Sequence, residues 1–161
     1  MAWVDPIFDR TLEDVNYALS QLAQWKAVSV SGLNPYMTDL KGCLNYEDMN
    51  RIESNIDFLG EWLRSLGYTP STPSKEWTKE GVPTQGDCLR IIGNLTSIIT
   101  SFCQYPSAPD IPIDMRYFYE INDIERNLML LKELVELMIS SFKKCGTFQA
   151  GSTVFLPLRR N

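Results

Sequence analysis

The sequence predicts an all-α protein, an antiparallel bundle of four main helices followed by an extended C-terminal arm. The first observation is a stripe of apolar residues separated by alternating steps of 3 and 4 residues, the spacing of one helix face. The second is that three stretches share this stripe. Its members are Met49, Ile52, Ile56, Leu59, Leu63 and Leu66; then Cys88, Ile91, Leu95, Ile98 and Phe102; then Ile121, Ile124, Leu128, Leu131, Val135, Met138 and Phe142. The third is that linkers of moderate length allow successive helices to fold back on one another.

The first helix is predicted by a capping-box pattern. Thr11 supplies a hydroxyl for a free amide of the first turn, and Asp14 stands at the third helical position. An apolar face follows at helical spacing, formed by Leu12, Val15, Leu19 and Leu22. We expect this helix to end near Val28, because serines, a glycine and Asn34-Pro35 follow.

The second and third helices begin with the same kind of capping pattern. Asn45 caps the second helix, which Gly67 ends, and Thr84 with Asp87 opens the third, which the prolines after Gln104 end. The stretch from Thr69 to Pro83 has no helical period and contains Trp77. We interpret Trp77 as a loop anchor packed into a groove of the bundle; the alternative is an exposed contact residue.

The fourth helix is the longest, predicted from Asp114 to Lys144 and stopped by Gly146. We assign residues 1–145 to the helical bundle domain and 146–161 to an extended arm. The arm lies beyond a glycine and carries apolar residues without a helical period: Phe148, Val154, Phe155, Leu156 and Leu158. We expect it to bind another subunit; the alternative is that it folds back on its own bundle.

Polar residues repeat in the same register as the apolar stripe, which indicates one diverged helical unit. Asn55, Asn94 and Asn127 share a mid-helix position, where asparagine is unfavourable by a few tenths of a kcal/mol. A side-chain amide offsets this cost when it bonds to loop backbone or to a neighbouring helix. We therefore expect structural hydrogen bonds from all three.

Two acids also repeat. Glu53 and Glu125 are equivalent, and a pair of carboxylates is what a glycosidase uses. Structural pairing is the stronger interpretation, because arginines such as Arg51 lie nearby and Ile92 replaces the acid in the remaining repeat. We expect no catalytic residues and a protein that is not an enzyme.

Composition narrows the classes further. The 161 residues carry a net charge of -5, the wrong sign for phosphate backbones, so nucleic acid is not an expected partner. The N-terminus lacks the basic start and apolar run of a secretory signal, and no stretch reaches the ~18 apolar residues of a membrane span. We expect a soluble protein without membrane insertion.

Cysteine and histidine usage bears on metals and redox state. There is no histidine, which excludes Ser-His and Cys-His nucleophile systems. The four cysteines stand singly, and with no histidine to complete a zinc site we expect no metal and no cofactor. They predict reduced structural thiols, although an even count formally permits disulfides.

Four groups of residues resemble a known family. They are Asp9-Arg10-Thr11 with Asp14-Val15; Leu40-Lys41-Gly42 followed by Asn45-Tyr46, Asp48 and Asn50-Arg51-Ile52-Glu53; Trp77 ahead of Val82-Pro83-Thr84; and Asn122 with Ile124-Glu125. Together they resemble a helical module of tail and tail-fibre structural proteins from tailed phages and prophages of Gram-positive bacteria. The resemblance spans about residues 7 to 138, and the block from Leu40 to Glu53 is its most specific part. It implies assembly, with no catalytic residues to carry over.

We therefore expect a virion structural protein of the tail or baseplate region, made in the bacterial host cytoplasm, that binds other tail subunits and forms a homo-oligomer. The alternative is a glycan- or host-surface-binding module that uses its 4 tryptophans and 7 tyrosines as aromatic platforms. Burial distinguishes the two, because Trp25 and Trp62 lie near apolar stripes and are expected to be buried.

Overall fold

The computed structural model describes residues 2–28 and 40–145, and the side chains of 2–24 and 40–142 within them. These residues form four α-helices and no strand, which confirms the all-α class. The helices are α1, Leu12–Val28; α2, Tyr46–Ser65; α3, Gln85–Ser101; and α4, Phe118–Cys145. The predicted arm, with Phe148, Val154, Phe155, Leu156 and Leu158, lies outside the described residues.

The core is formed by the three predicted stripes, which meet where α2, α3 and α4 pack against one another. Ile56, Leu95 and Leu128 hold the same register position, and all three are fully buried. Each such side chain contributes about 1.5–3 kcal/mol relative to full exposure. The stripes lose their burial at the ends, where Leu66 and Phe142 are exposed.

α2 and α4 point in the same direction. Near the start of both helices, the Arg51 guanidinium lies 2.8 Å from the Glu125 carboxylate. Just past the end of α2, the Tyr68 hydroxyl lies 3.7 Å from the Met138 sulfur, in the C-terminal part of α4. The N-terminal parts of α2 and α4 therefore lie side by side, and so do their C-terminal parts.

α2 and α3 are parallel for the same reason. Arg90, in the second turn of α3, bonds to Glu53 in the first half of α2. Beyond the last turns, the Tyr68 and Phe102 rings meet edge to face with centroids 5.1 Å apart. The predicted antiparallel arrangement is therefore wrong for the three core helices.

The linkers explain why parallel helices are possible. A helix of 20 residues is about 30 Å long, and about nine extended residues cover the same distance. The linker between α2 and α3 runs back in this way: the Pro70 carbonyl accepts from Arg64 at the end of α2, and Trp77 reaches Asn50 near its start. A linker of moderate length is thus long enough to bring the chain back along the whole of α2. The prediction of antiparallel helices did not take this path into account.

α1 stands apart from this core, and no extensive helix pair among the described residues includes it. Its first turn is held by Gly42, where an added Cβ would lie 2.1 Å from the Asp14 carbonyl oxygen. In the predicted apolar face, Leu12 is 61% exposed and Leu19 is 56% exposed. The stripe on α1 therefore does not join the common core of α2, α3 and α4, although the sequence predicted four main helices packed in one bundle.

The predicted helix starts are confirmed by their hydrogen bonds. Reciprocal capping bonds join Thr11 with Asp14, Asn45 with Asp48, and Thr84 with Asp87. α4 begins at Phe118, later than the predicted Asp114, because Glu120 accepts from the amides of Arg116 and Tyr117 and fixes the first turn there. The end of α2 is also as predicted, since Gly67 has a φ of 92°.

Candidate functional site

The three repeated asparagines bind backbone of irregular segments that lie beside the core helices. The Asn55 amide accepts from the Val4 N–H at 2.9 Å and donates to the Val4 carbonyl at 2.7 Å. Asn94 donates to the Pro73 carbonyl at 2.8 Å, and Asn127 donates to the Pro109 carbonyl at 3.1 Å. All three asparagines make the hydrogen bonds expected from the sequence, and each one bonds to a different segment.

Two further asparagines, which the sequence analysis did not predict to be structural, also bond to the backbone of irregular segments, nearer the beginnings of the helices. Asn50 bonds both the N–H and the carbonyl of Trp77. Asn122 does the same for Arg10, at 3.2 and 2.9 Å. The signal was present in the sequence, because Asn50 and Asn122 occupy equivalent positions in the aligned repeats.

Glu125 is the centre of a buried ion-pair cluster in the groove between α4 and α2. Its carboxylate accepts from Arg51 at 2.8 Å, from Arg10 at 3.1 Å and from the Ile7 amide. Asp48 joins the cluster 3.0 Å from the same Arg10 guanidinium. Two guanidinium groups thus balance two carboxylates, which is what burial of charge requires.

The charges of this cluster also affect the pKa of Arg51. Burial alone lowers the pKa of this guanidinium, but the hydrogen bonds and charges of Glu125 and Asp48 outweigh burial and raise it. The neighbouring Arg10 keeps one buried nitrogen, Nε, without a hydrogen-bond partner. The cluster is therefore paired in charge but not saturated in hydrogen bonds.

Glu53 forms an equivalent cluster in the groove between α2 and α3. It accepts from the indole N–H of Trp77 at 3.2 Å and from Arg90 at 2.9 Å. The hydrogen bond to Glu53 raises the pKa of Arg90. Arg90 and Asp87 occupy the places that Arg51 and Asp48 hold in the first cluster, so the repeat extends to the ion pairs.

The third groove, between α3 and α4, has no such cluster among the described residues. Leu89 and Ile92 stand where α2 and α4 carry the asparagine and the glutamate, and Asp123 replaces the arginine. Met115, just before α4, is a buried member of the core. Asn127 on α4 bonds to Pro109 in the linker between α3 and α4, so the described residues hold this linker by an amide and not by an ion pair.

The two glutamates do not form a shared site. Glu53 faces the α2–α3 groove and Glu125 faces the α4–α2 groove, and each binds donors from more than one element. Paired glycosidase carboxylates must instead flank one substrate. The arrangement holds the linkers and the N-terminal segment onto the helices, which is the structural pairing expected from the sequence.

The tryptophans were the other candidates for binding. Trp77 is 3% exposed, which confirms its interpretation as a groove anchor. Trp62 and Trp3 are partly buried, and both pack edge to face against the Phe58 ring. Their ring centroids lie 5.5 and 5.7 Å from the Phe58 centroid, respectively. The side chain of Trp25 lies outside the described residues. The described tryptophans are therefore occupied with packing.

The described ranges show neither a metal-binding cluster nor a membrane-spanning helix. Residues 2–28 and 40–145 contain no group of three or more Cys, Asp or Glu side chains arranged to hold a metal ion. No helix within these ranges combines the length and apolar character needed to cross a bilayer. Cys43, Cys88 and Cys103 are free thiols, and burial raises the pKa of each.

The chain was compared with known protein families, with curated proteins and with solved structures, and none of them matches it.

Proposed function

We propose that this chain is a structural protein of the tail or baseplate of a phage or prophage, and that it acts in the virion by binding other tail subunits and copies of itself. The proposal takes its identity from the residues that resemble the helical module of phage tail proteins. The observation that carries it is the apolar surface of α1, which the described chain leaves uncovered. That surface includes Leu12 and Leu19, which lie two turns apart on one side of the helix and are both more than half exposed.

The most specific block of the resemblance supports a scaffold that presents this surface. Gly42 holds the first turn of α1, and Lys41 lies 2.8 Å from Asp9 in front of it. Asn45 caps α2, and Arg51 joins the buried cluster. The block from Leu40 to Glu53 thus positions α1 and orders the core, as expected for a module whose role is assembly.

The test is the composition of purified particles. Particles induced from a host that carries the gene should contain this chain, by mass spectrometry, in an amount comparable with other tail subunits. A double variant, Leu12→Ser with Leu19→Ser, should keep its helical circular dichroism and be lost from the particles, whereas Glu13→Gln on the same helix should be retained. Absence of the wild-type chain from particles, with normal amounts in the lysate, contradicts the proposal.

A second candidate, a glycan- or host-surface-binding module, is favoured by one observation. Tyr117 and Tyr119 are 56% and 50% exposed, and their rings stack 5.2 Å apart with planes 10° from parallel. Stacked tyrosines give a flat platform of the kind that sugar rings contact. Tyr119→Ala should then abolish binding of the purified chain to host cells; unchanged binding excludes this candidate.

A further inference from the structure

One buried carboxylate, that of Asp57 on α2, is left without a partner by the clusters described above. The residue is 8% exposed, and over the described part of the chain its side chain accepts no hydrogen bond and forms no ion pair. Arg90 is the cation that acts on it electrostatically, but that guanidinium is bonded to Glu53 and to the Pro73 carbonyl. Its oxygens keep some contact with solvent, since neither is among the fully buried polar atoms that lack a hydrogen-bond partner. A carboxylate with so little water around it and no donor of its own is nevertheless unfavourable.

The fold itself does not require an acid at this position. Asp57 follows Ile56 in the repeat, and the residues at the same place in α3 and α4 are Thr96 and Met129. Thr96 bonds the Ile92 carbonyl of its own helix. The repeat therefore builds the same helix unit with a hydroxyl or a thioether, and the carboxylate is particular to α2.

Asp57 lines an open cleft of about 540 Å³ between α2 and the linker that precedes α3. The other lining residues are Asn50, Glu53, Ser54, Ser74, Lys75 and Glu76. Lys75 is the one cation among them, and its ammonium lies 3.1 Å from Asp87 and 4.1 Å from the centroid of the Trp77 ring. Since Glu53 is paired with Arg90, the buried Asp57 and the exposed Glu76 give the cleft two carboxylates without a cation.

We propose that this cleft binds an organic cation, an ammonium or guanidinium group, through the carboxylates of Asp57 and Glu76. Charge-assisted hydrogen bonds from such a group would satisfy the buried Asp57 carboxylate, and the Ser74 hydroxyl offers a further acceptor. A metal ion fits less well, because the described residues hold no cluster of three potential metal ligands. The cation is either a free amine or a basic side chain of another protein, and the site does not depend on the proposed role in a phage tail.

The test uses the full chain and agmatine as the guanidinium probe, followed by amide chemical shifts at constant ionic strength. Agmatine should shift the signals of residues 53–57 and 74–76 in a saturable manner. Asp57→Asn should weaken binding about tenfold or more, and Glu76→Gln, at an exposed position, should weaken it severalfold. Glu133→Gln, a carboxylate outside the cleft on α4, is the matched control and should bind as the wild type does.

Melting temperatures give an independent readout. Without a probe, Asp57→Asn should melt at or above the wild-type temperature, because a largely buried charge without a hydrogen-bond donor is removed. Agmatine should raise the melting temperatures of the wild type and of Glu133→Gln, and that of Asp57→Asn much less. The proposal is overturned if the wild type shows no saturable shifts, if both carboxylate variants bind normally, if calcium chloride alone produces the same shifts, or if Asp57→Asn unfolds the chain. N-acetyl-arginine methylamide competing better than agmatine would identify a protein side chain as the source of the cation, and the reverse a free amine.

Discussion

Single amide groups determine where the irregular parts of this chain lie. Asn55 uses both its amide oxygen and its amide nitrogen on one peptide unit, that of Val4. In a β-sheet, the neighbouring strand would bond the backbone N–H and carbonyl of such a residue. Here the amide of a helix side chain makes both hydrogen bonds instead. The small helix-propensity cost of the asparagine is offset because its buried amide bonds both backbone groups of Val4.

Replacing Asn55 by leucine tests this role. The Val4 N–H and carbonyl would both lose their partner, and we expect the free energy of unfolding to fall by about 1–3 kcal/mol. Urea denaturation followed by circular dichroism measures the change. Asn16→Leu, on the exposed side of α1, is the matched control and should change stability little. Equal stability of Asn55→Leu and the wild type would show that the amide does not hold the N-terminal segment.

The capping acid of α3 makes a prediction about pH. The hydroxyl and amide of Thr84, with Lys75, lower the pKa of Asp87 from 3.8 to about 2. Because the folded pKa lies below the unfolded one, this stabilisation is complete above about pH 4 and is lost as the pH falls to about 2. The melting temperature of Asp87→Asn should therefore lie below that of the wild type at pH 6, and the difference should vanish near pH 2. A difference that stays constant across this range contradicts the assigned pKa.

The three core helices are units of one repeat, and in two of the three grooves the repeat includes buried charges. The pair Glu125 and Arg51 in one groove corresponds to Glu53 and Arg90 in the next, and the residue that crosses each groove, Arg10 or Trp77, donates to the glutamate. Removing one member of such a buried pair leaves the other charge without compensation. The clusters therefore favour the arrangement in which each irregular segment lies in its own groove.

Glu125→Leu should destabilise the chain by about 3–5 kcal/mol, because Arg10 and Arg51 would remain buried with only Asp48 to balance them. Glu136→Leu is the control: this carboxylate pairs with Lys132 at the surface, where such a pair contributes at most about 1 kcal/mol. Denaturant melts of both variants give the comparison. A loss below 1 kcal/mol for Glu125→Leu would mean that the cluster does not hold the groove.

The sequence predicted the helices well and their arrangement poorly. Spacing and capping residues are local, so α1 and α2 end at or beside the expected residues, and the stripes identified the buried positions of three helices. Direction depends on the path of the linkers, which local spacing does not encode. The exposed stripe of α1 was misassigned because an amphipathic pattern indicates that a face is covered, but does not identify what covers it.

The candidate site was predicted in role but not in partners. The equivalent positions of Asn55, Asn94 and Asn127 indicated structural bonds, and these are present. Which segment each residue binds could not be predicted, because the contacts are distant in sequence. Asp57 was missed entirely, since a lone acid on a helix is indistinguishable from a solvated surface residue until its burial is known.

At the scale of the whole molecule, the grooves between core helices are already occupied. The N-terminal segment lies between α4 and α2, and the linker that joins α2 to α3 lies in the groove between those two helices. Asn127 binds Pro109, in the linker that joins α3 to α4, beside α4. We propose that the apolar arm from residue 146 onward binds another copy of the chain.

A chain ending at Lys144 tests that prediction. Its helical circular dichroism and melting temperature should match those of the full chain, because every described residue of the core and of its ion-pair clusters precedes the arm. Its mass by light scattering should fall to that of a monomer. A lower melting temperature with unchanged mass would instead show that the arm folds onto its own bundle.

Three parallel core helices carry related units, and the chain returns through the grooves between them. Nuclear Overhauser effects from the Tyr68 ring, which lies just past the end of α2, distinguish parallel from antiparallel packing. Parallel packing predicts contacts from this ring to the Phe102 ring and to the Met138 methyl group, at the far ends of α3 and α4. Contacts from the Tyr68 ring to the first turns of α3 or α4 would instead show that the helices are antiparallel.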